Sequence, residues 1–390
     1  MKSLVFSADE LYKCSLQSER RNLHLTKESF TEKSKDLIKK ITDGLYNFSF
    51  KEKNSFYVNS QIDKFEFFFQ NLVLRNIYKN IKTLYKLTQS NRDEIISQIQ
   101  ILLKENNYWV LKLDVKSFYE SIDFHKVIDK IKKASRLNSQ TIYLMEKIFT
   151  QLGKNIGIPR GISLSAIIAE LFMKDFDLNV KRKDGVYYYA RFVDDIIVFC
   201  NSKATQEQVK KEIEEELKKL GLKLNKEKIQ IWNQSNADEL TYLGYEFSHN
   251  GREIDISIAD KKVKKIKTRI VRSFINYQKN NDFNLLKNRI KFLTGNITLE
   301  KTDLERINVG IFYNYKLISE NGKRKIRELD CFYQKILNCK SGKLGVFLSR
   351  NLLHGQKKRL KSYSFLFGFE NKVRHSFSFQ EMKEIKRCWL

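Results

Sequence analysis

Apolar positions recur at helical spacing over residues 26–46, through Phe30, Leu37, Ile38, Ile41 and Leu45. They do so again over 62–86, where Phe65, Phe67, Phe68 and Phe69 form an aromatic cluster read as core rather than as a base-stacking surface. Between these helices residues 47–58 alternate around Phe48, Phe50, Phe56 and Val58, with Lys51, Lys53 and Asn54 at the turn, which predicts a basic hairpin. A third helix opens at Ser90 or Asn91, with Glu94 placed for a capping box, and runs on through Ile95, Ile96, Ile99, Leu102 and Leu103. A strand over 108–118 follows, then helices over 124–134, 138–152 and 162–180. A hairpin is expected over 186–200, a charged helix over 205–220, and short strands near 222–232 and 241–247. Strands and helices in this order give an α+β fold. Beyond residue 258 the pattern is helical and basic. Val263, Ile266, Ile270, Phe274 and Tyr277 share one face, and Lys261, Lys262, Lys264, Lys265, Lys267, Arg269 and Arg272 cover the rest.

Composition adds a partner to this picture. The 390 residues carry 73 Lys and Arg against 46 Asp and Glu, a net charge of +27. Such an excess attracts polyanions over long range. Nucleic acid is therefore the expected partner. The five cysteines are scattered without a Cys-x-x-Cys pair, so neither a disulfide framework nor a zinc module is expected. The opening residues hold too short an apolar run for a signal peptide, and no stretch of about 18 apolar residues predicts a membrane span. A cytoplasmic protein without membrane contact is expected. A single proline and 15 glycines leave no linker-like segment.

Two segments carry the chemistry. One runs from Val110 through Leu113, Asp114, Phe118, Tyr119 and Asp123. The other runs from Tyr189 through Arg191, Phe192, Val193, Asp194 and Asp195 to Phe199. Each sets a carboxylate at the end of an apolar strand, where an unpaired charge is costly unless a cation neutralises it. Three acidic groups from two strands can hold the two Mg²⁺ ions of an in-line phosphoryl transfer, roughly 3.5–4 Å apart. In a strongly basic chain this points to a nucleic-acid polymerase.

The order of these motifs resembles that of the reverse transcriptase family over residues 75–250. Asp114 matches the family's first catalytic aspartate, and Phe192-Val193-Asp194-Asp195 matches its Tyr/Phe-x-Asp-Asp hallmark. The resemblance implies a right-hand polymerase. Fingers and an N-terminal helical region would occupy 1–105, a palm with inserted finger elements 106–257, and a helical thumb with a C-terminal tail 258–390. It assigns Asp114, Val115, Asp194 and Asp195 to two Mg²⁺ ions, with Mn²⁺ as an alternative. Tyr119 takes the steric-gate position that excludes a 2′-hydroxyl, beside Phe118. Gly157-Ile-Pro159-Arg160-Gly161-Ile-Ser163-Leu-Ser165 resembles the Pro-Gln-Gly block, with Arg160 where glutamine is usual and with Gly161 approaching the nascent base pair. Gly221-Leu-Lys-Leu-Asn225-Lys-Glu-Lys228 resembles the next motif, whose lysine, here Lys228, protonates the leaving pyrophosphate. Tyr242, Leu243, Gly244 and Tyr245 match the primer-grip turn.

The fingers lack the usual Arg-x-Ile/Leu triphosphate grip. Lys51, Lys53, Arg75, Lys82 and Arg92 are the candidates there, and Lys261, Lys264, Lys265 and Lys267 are expected to track a duplex from the thumb. The Leu-Asp-Val-Lys-Ser-Phe-Tyr-Glu-Ser-Ile run and the weak fingers look most like bacterial defence-associated reverse transcriptases of the unknown-group or abortive-infection type. That resemblance implies RNA-directed DNA synthesis from dNTPs in antiphage defence. It implies an RNA template, a dedicated noncoding RNA, a DNA product and a second protein of the same defence operon as partners. The alternatives are a retron-like or mobile-element reverse transcriptase, and an RNA-binding scaffold with a vestigial polymerase site.

Overall fold

The computed structural model describes residues 6–53, 55–152, 157–233, 235, 239–249, 253–300 and 306–389. The chain divides into two compact units. One comprises Met1–Ile95 with Asn107–Asn233, the other Ile96–Asn106 with Gln234–Leu390.

The first unit carries a basic hairpin, β1 (Phe50–Lys53) and β2 (Phe56–Asn59), where the alternating pattern predicts it. Asn54, expected at its turn, lies outside the described residues. The centre of the unit is an antiparallel sheet of β3 (Trp109–Asp114), β4 (Val186–Phe192), β5 (Asp195–Cys200) and β6 (Gln230–Asn233), in the order β4-β5-β3-β6. β5 lies inside this sheet, and its residues Ile196 to Cys200 are all fully buried. Val110, Leu111 and Leu113 of β3 are equally sealed. The helices Ser163–Lys181 and Lys203–Lys219 pack on the sheet. The first buries Leu164, Ile167, Ile168, Leu171, Phe172, Met173, Phe176 and Val180, each contributing about 2 kcal/mol. The second is tied down by Gln206, whose buried amide donates to the Val110 carbonyl at 2.7 Å. Asp123 caps the Phe124–Ala134 helix, accepting from the His125 amide at 2.9 Å.

Two strands are shorter than the pattern suggests. The strand expected over 108–118 stops at Asp114, because Ser117 adopts a left-handed conformation (φ 48°) and turns the chain into the short helix Phe118–Ser121. The strand expected over 222–232 is reduced to β6. Ahead of it the backbone makes one bridge, Leu224 to Val115, and a 3₁₀ turn over Lys226–Lys228.

The second unit contains an antiparallel sheet of β7 (Leu240–Tyr242), β8 (Tyr245–His249) and β9 (Ile254–Ile258). The basic helix Asp260–Asn280 follows, with Val263, Ile270, Phe274 and Tyr277 buried as the periodicity requires. Lys325 is almost fully buried between Glu246 and Asp260, which fixes the helix Arg324–Leu337 to the sheet. The region past residue 258 was expected to be wholly helical. It also holds a hairpin, β10 (Asn296–Glu300) and β11 (Arg306–Gly310), whose period-2 alternation is too short to stand out beside its helical flanks. No helix among the described residues is long and apolar enough to cross a membrane.

Candidate active site

The antiparallel register decides which carboxylates meet. Asp114, the last residue of β3, pairs directly with Asp195, the first of β5. Val193 and Asp194 form the tight turn between β4 and β5, and Asp194's carbonyl accepts from the Val115 amide at 3.0 Å. The register thus sets Asp114 opposite Asp195, with Asp194 and Val115 joined beside them through the backbone. Val193 holds a φ of 60°, an outlier for a β-branched residue that costs on the order of 1–3 kcal/mol.

What holds that turn is Arg191, which motif reading missed. Its side chain is 2% exposed. One amino group donates to the Val193 carbonyl at 2.9 Å and to Glu170 at 3.3 Å. The other donates to Glu170 at 2.7 Å and Asp177 at 2.8 Å, and Nε donates to Asp177 at 2.8 Å. Tyr189 adds a hydroxyl to Asp177 at 2.6 Å. The signal was present in the sequence. An arginine interrupts an apolar strand, and two acids sit seven residues apart, on one face of the preceding helix.

Electrostatically the cluster lacks positive charge. Burial, and next the charge of Asp194, push the Asp195 carboxyl up to about 6. Burial also raises Asp194, with Asp114's charge adding to it. Lys228 answers part of this. Its ammonium donates to both oxygens of Asp114 at 2.9 Å, and that hydrogen bond raises its own pKa. The loop carrying it is locked to β3 by backbone bonds, from the Asn225 amide to the Asp114 carbonyl and from the Lys116 amide to the Lys223 carbonyl, each 2.8 Å. No three acidic, histidine or cysteine side chains among the described residues converge on one point that could hold a metal ion. The donor set is still that of a hard divalent cation. It consists of the carboxylate oxygens of Asp114, Asp194 and Asp195, the last two raised chiefly by burial, with backbone carbonyls beside them.

Beside the carboxylates lies a pocket of about 330 Å³, lined by Phe56, Tyr119, Arg160, Gly161, Ser165 and Asp194 among others. Tyr119 is half-buried at its wall, and burial, with the charges of Glu170 and Asp194, raises the pKa of its hydroxyl. Phe118 is 2% exposed, so its contribution is mainly packing. The segment carrying Arg160 threads a narrow gap. The Ile158 amide donates to the Tyr119 carbonyl at 2.7 Å, and the Tyr57 amide donates to the Arg160 carbonyl at 2.7 Å. A Cβ on Gly161 (φ 95°) would lie 2.5 Å from the Tyr57 carbonyl, and one on Gly157 (φ 89°) would lie 2.8 Å from that of Glu120. Only glycine fits either position. Arg160 pairs with Glu120 through two nitrogens, at 2.6 and 3.0 Å, and its guanidinium carbon sits 5.9 Å from the Tyr119 ring centre.

The remaining sequence candidates are placed unevenly. Arg75 is not a free cation. It forms a two-pronged pair with Glu19, 2.7 Å on each prong, and donates to the Cys14 carbonyl, so it ties the fold together. Arg92 lies 3.9 Å from Asp93. Lys51, Lys53 and Lys82 are exposed. In the second unit Lys261, Lys264 and Lys265 are exposed on one helix, whereas Lys267 pairs with Glu328. Leu243 and Gly244 form a two-residue turn with positive φ at both positions, 47° and 85°. The rings of Tyr242 and Tyr245 on either side are fully buried, which leaves only the turn itself to face outward.

No curated protein sequence matches the chain. Among solved structures it is similar to telomerase from Candida albicans in complex with the TWJ fragment of telomeric RNA, at 14% identity and TM-score 0.41, covering 88% of this chain and 63% of that one. The corresponding Candida tropicalis complex gives 15% and 0.41, with 94% and 68% covered. Apo telomerase from Candida tropicalis, truncated from the C-terminal domain, gives 17% and 0.38, with 59% and 60% covered. The chain therefore spans about three fifths of the length of the first of these relatives. The family model described as reverse transcriptase (RNA-dependent DNA polymerase) matches residues 44–247, just over half of the chain, from before the basic hairpin to β8 and across all three aspartates. The chain belongs to the reverse transcriptase family, with the right-hand α+β polymerase fold that membership entails.

Proposed function

We propose that this chain is an RNA-directed DNA polymerase that adds dNTPs to a 3′-hydroxyl. The observation that carries the reading is the Asp114–Asp195 register pair, with the Asp194 turn packed beside it. The 3′-hydroxyl gives up its proton to water as its oxygen bonds to the α-phosphorus, the bond from that phosphorus to the α,β-bridging oxygen breaks, and pyrophosphate leaves. Asp114, Asp194 and Asp195, with the Val115 carbonyl, would hold two Mg²⁺ ions or Mn²⁺, whose chemistry is to polarise the phosphoryl oxygens and lower the pKa of the attacking hydroxyl. Lys228, held charged beside Asp114, supplies a proton to the departing pyrophosphate. Tyr119 closes the pocket against a 2′-hydroxyl. Gly161 lets backbone approach the nascent pair. Leu243–Gly244 steadies the primer, and Lys261, Lys264 and Lys265 follow the duplex backbone.

The biological setting in this reading is cytoplasmic antiphage defence. A dedicated noncoding RNA serves as template, DNA is the product, and a second protein of the same operon takes part. The run from Leu113 to Ile122, with its resemblance to defence-associated members, supports it. Asp114→Ala and Asp194→Ala should each abolish primer extension in a folded protein. Extension near the wild-type rate by either variant refutes the site. Sequencing of RNA that copurifies with the chain tests the setting, and bulk cellular RNA without an enriched species removes the dedicated-RNA reading.

A further inference from the structure

Tyr119 and Glu120 are neighbours on the short helix Phe118–Ser121, which the left-handed turn at Ser117 opens. Successive helical side chains diverge by about 100°, so Glu120 points away from the Tyr119 ring. It reaches that ring through Arg160. Arg160 Nε meets one Glu120 oxygen at 2.6 Å, and Nη2 donates to the other at 3.0 Å. Two parallel bonds fix the plane of the guanidinium as well as its position. Held this way, it lies over the Tyr119 ring with its carbon 5.9 Å from the ring centre, inside the reach of about 6 Å for a cation–π contact. The buried Phe118 ring meets Tyr119 edge-on, with centres 5.4 Å apart. Both main chains are clamped. The Ile158 amide donates to the Tyr119 carbonyl at 2.7 Å, the Gly157 amide to that of Ile122 at 3.1 Å, and the Tyr57 amide to that of Arg160 at 2.7 Å. With the backbone fixed, the side-chain pair limits how far the ring can turn.

We propose that Glu120 is a positioning residue for sugar selection: by pinning Arg160 over Tyr119, it keeps that ring across the space a 2′-hydroxyl would need. The inference rests on the polymerase reading and on Tyr119 as its gate. Tyr119 and Arg160 line the pocket, whereas Glu120 does not, so its influence on a nucleotide passes through the other two. The fold gains little from the pair, because Arg160 and Glu120 are 42% and 47% exposed and water screens them. Its consequence falls on the ring instead. A lysine at 160 would bring charge without the two-pronged grip, and the plane of the cation would then be free to swing.

The test is competition primer extension from mixed dNTP and rNTP by the full chain, comparing wild type, Glu120→Gln, Tyr119→Val and the double variant. Glu146→Gln is the control, since Glu146 is 41% exposed, pairs with Lys132 at 2.7 Å and lines no part of the pocket. Glu120→Gln should raise the ribonucleotide share about three- to tenfold, the range that a cation–π contact and an exposed ion pair supply together. The gain should appear as a lower KM for rNTP, with kcat for dNTP little changed, and the control should match wild type. In the Tyr119→Val background, Glu120→Gln should add almost nothing, because no ring is left to brace. An unchanged ratio in Glu120→Gln overturns the proposal. So does the same multiplication with and without the ring, or an equal effect of Glu146→Gln. A second measurement needs no turnover: NMR of the chain with ring-labelled tyrosine, the Tyr119 signal being identified by its loss in Tyr119→Val. Glu120→Gln should shift or broaden that signal, and an unmoved signal overturns the brace. A wild-type chain that never extends a primer sinks the enzymatic reading, whereas the ring signal decides the brace separately.

Discussion

Replacing Arg191 by methionine removes five hydrogen bonds and the guanidinium charge that bridges Glu170 and Asp177, while keeping most of the side-chain volume. Breaking a buried ion pair by deleting one partner costs about 3–5 kcal/mol, because the remaining charge is left uncompensated. Glu170 and Asp177 retain 15% and 20% exposure, and Tyr189 still reaches Asp177, so the lower end, about 3 kcal/mol, is expected. Urea unfolding should show it as a lowered midpoint at unchanged slope. The second loss is local. The Val193 carbonyl loses its donor, the strained φ of Val193 is no longer over-determined, and the Asp194 carboxylate drifts. The decisive construction is the triple variant Arg191→Met/Glu170→Gln/Asp177→Asn. It removes the orphaned charges, and its stability should return to within about 1 kcal/mol of wild type, because a buried ionic set and a neutral substitute are often close in energy. Primer extension should nonetheless stay at least tenfold down at saturating metal and dNTP. Activity that recovers in step with stability would show that Arg191 supports the fold alone and does not position the turn.

Three further outcomes follow from the geometry. Tyr119→Val should raise ribonucleotide incorporation relative to deoxynucleotide by an order of magnitude or more in competition primer extension; an unchanged ratio reassigns the ring to packing. The Asp195 carboxyl is raised in the folded state to about 6 from its ordinary 3.8, so the protonated fold is favoured, and stability without divalent metal should fall as pH rises from 4 through 6. Asp195→Asn should then stabilise the metal-free protein by about 3 kcal/mol at pH 7.5 while stopping extension, and a destabilised variant contradicts the charge argument. Changing Lys261, Lys264 and Lys265 together to Gln should reduce the slope of log affinity for RNA against log salt by about 3 at most, equally for all sequences; an unaltered slope removes this helix from the interface.

Legibility in the sequence tracked the length of each signal. Long periodic segments were plain: the Ser163–Lys181 helix falls within one residue of the span expected for it, and the Asp260–Asn280 helix extends three residues beyond its apolar stripe at each end. The three aspartates were plain too, because charge at the end of an apolar strand is conspicuous. What escaped was set by backbone conformation or by partners distant in sequence. The left-handed turn at Ser117 ends β3 early with no glycine to announce it. Arg75 looked available because its partner Glu19 lies 56 residues away. The burial of both the Tyr242 and Tyr245 rings beside their turn was not legible either, since it depends on packing within the second unit.

The carboxylate centre is knitted together largely by main chain. Amides of Val115, Lys116 and Asn225 bond carbonyls of Asp194, Lys223 and Asp114, and those of Tyr57 and Ile158 bond carbonyls of Arg160 and Tyr119. Bonds of this kind do not depend on which side chain a position carries. Descendants of this chain can therefore exchange most residues around the centre and inherit its shape intact, so that geometry outlasts spelling. Proline is the one substitution barred at all five donor positions, since it has no amide hydrogen to give.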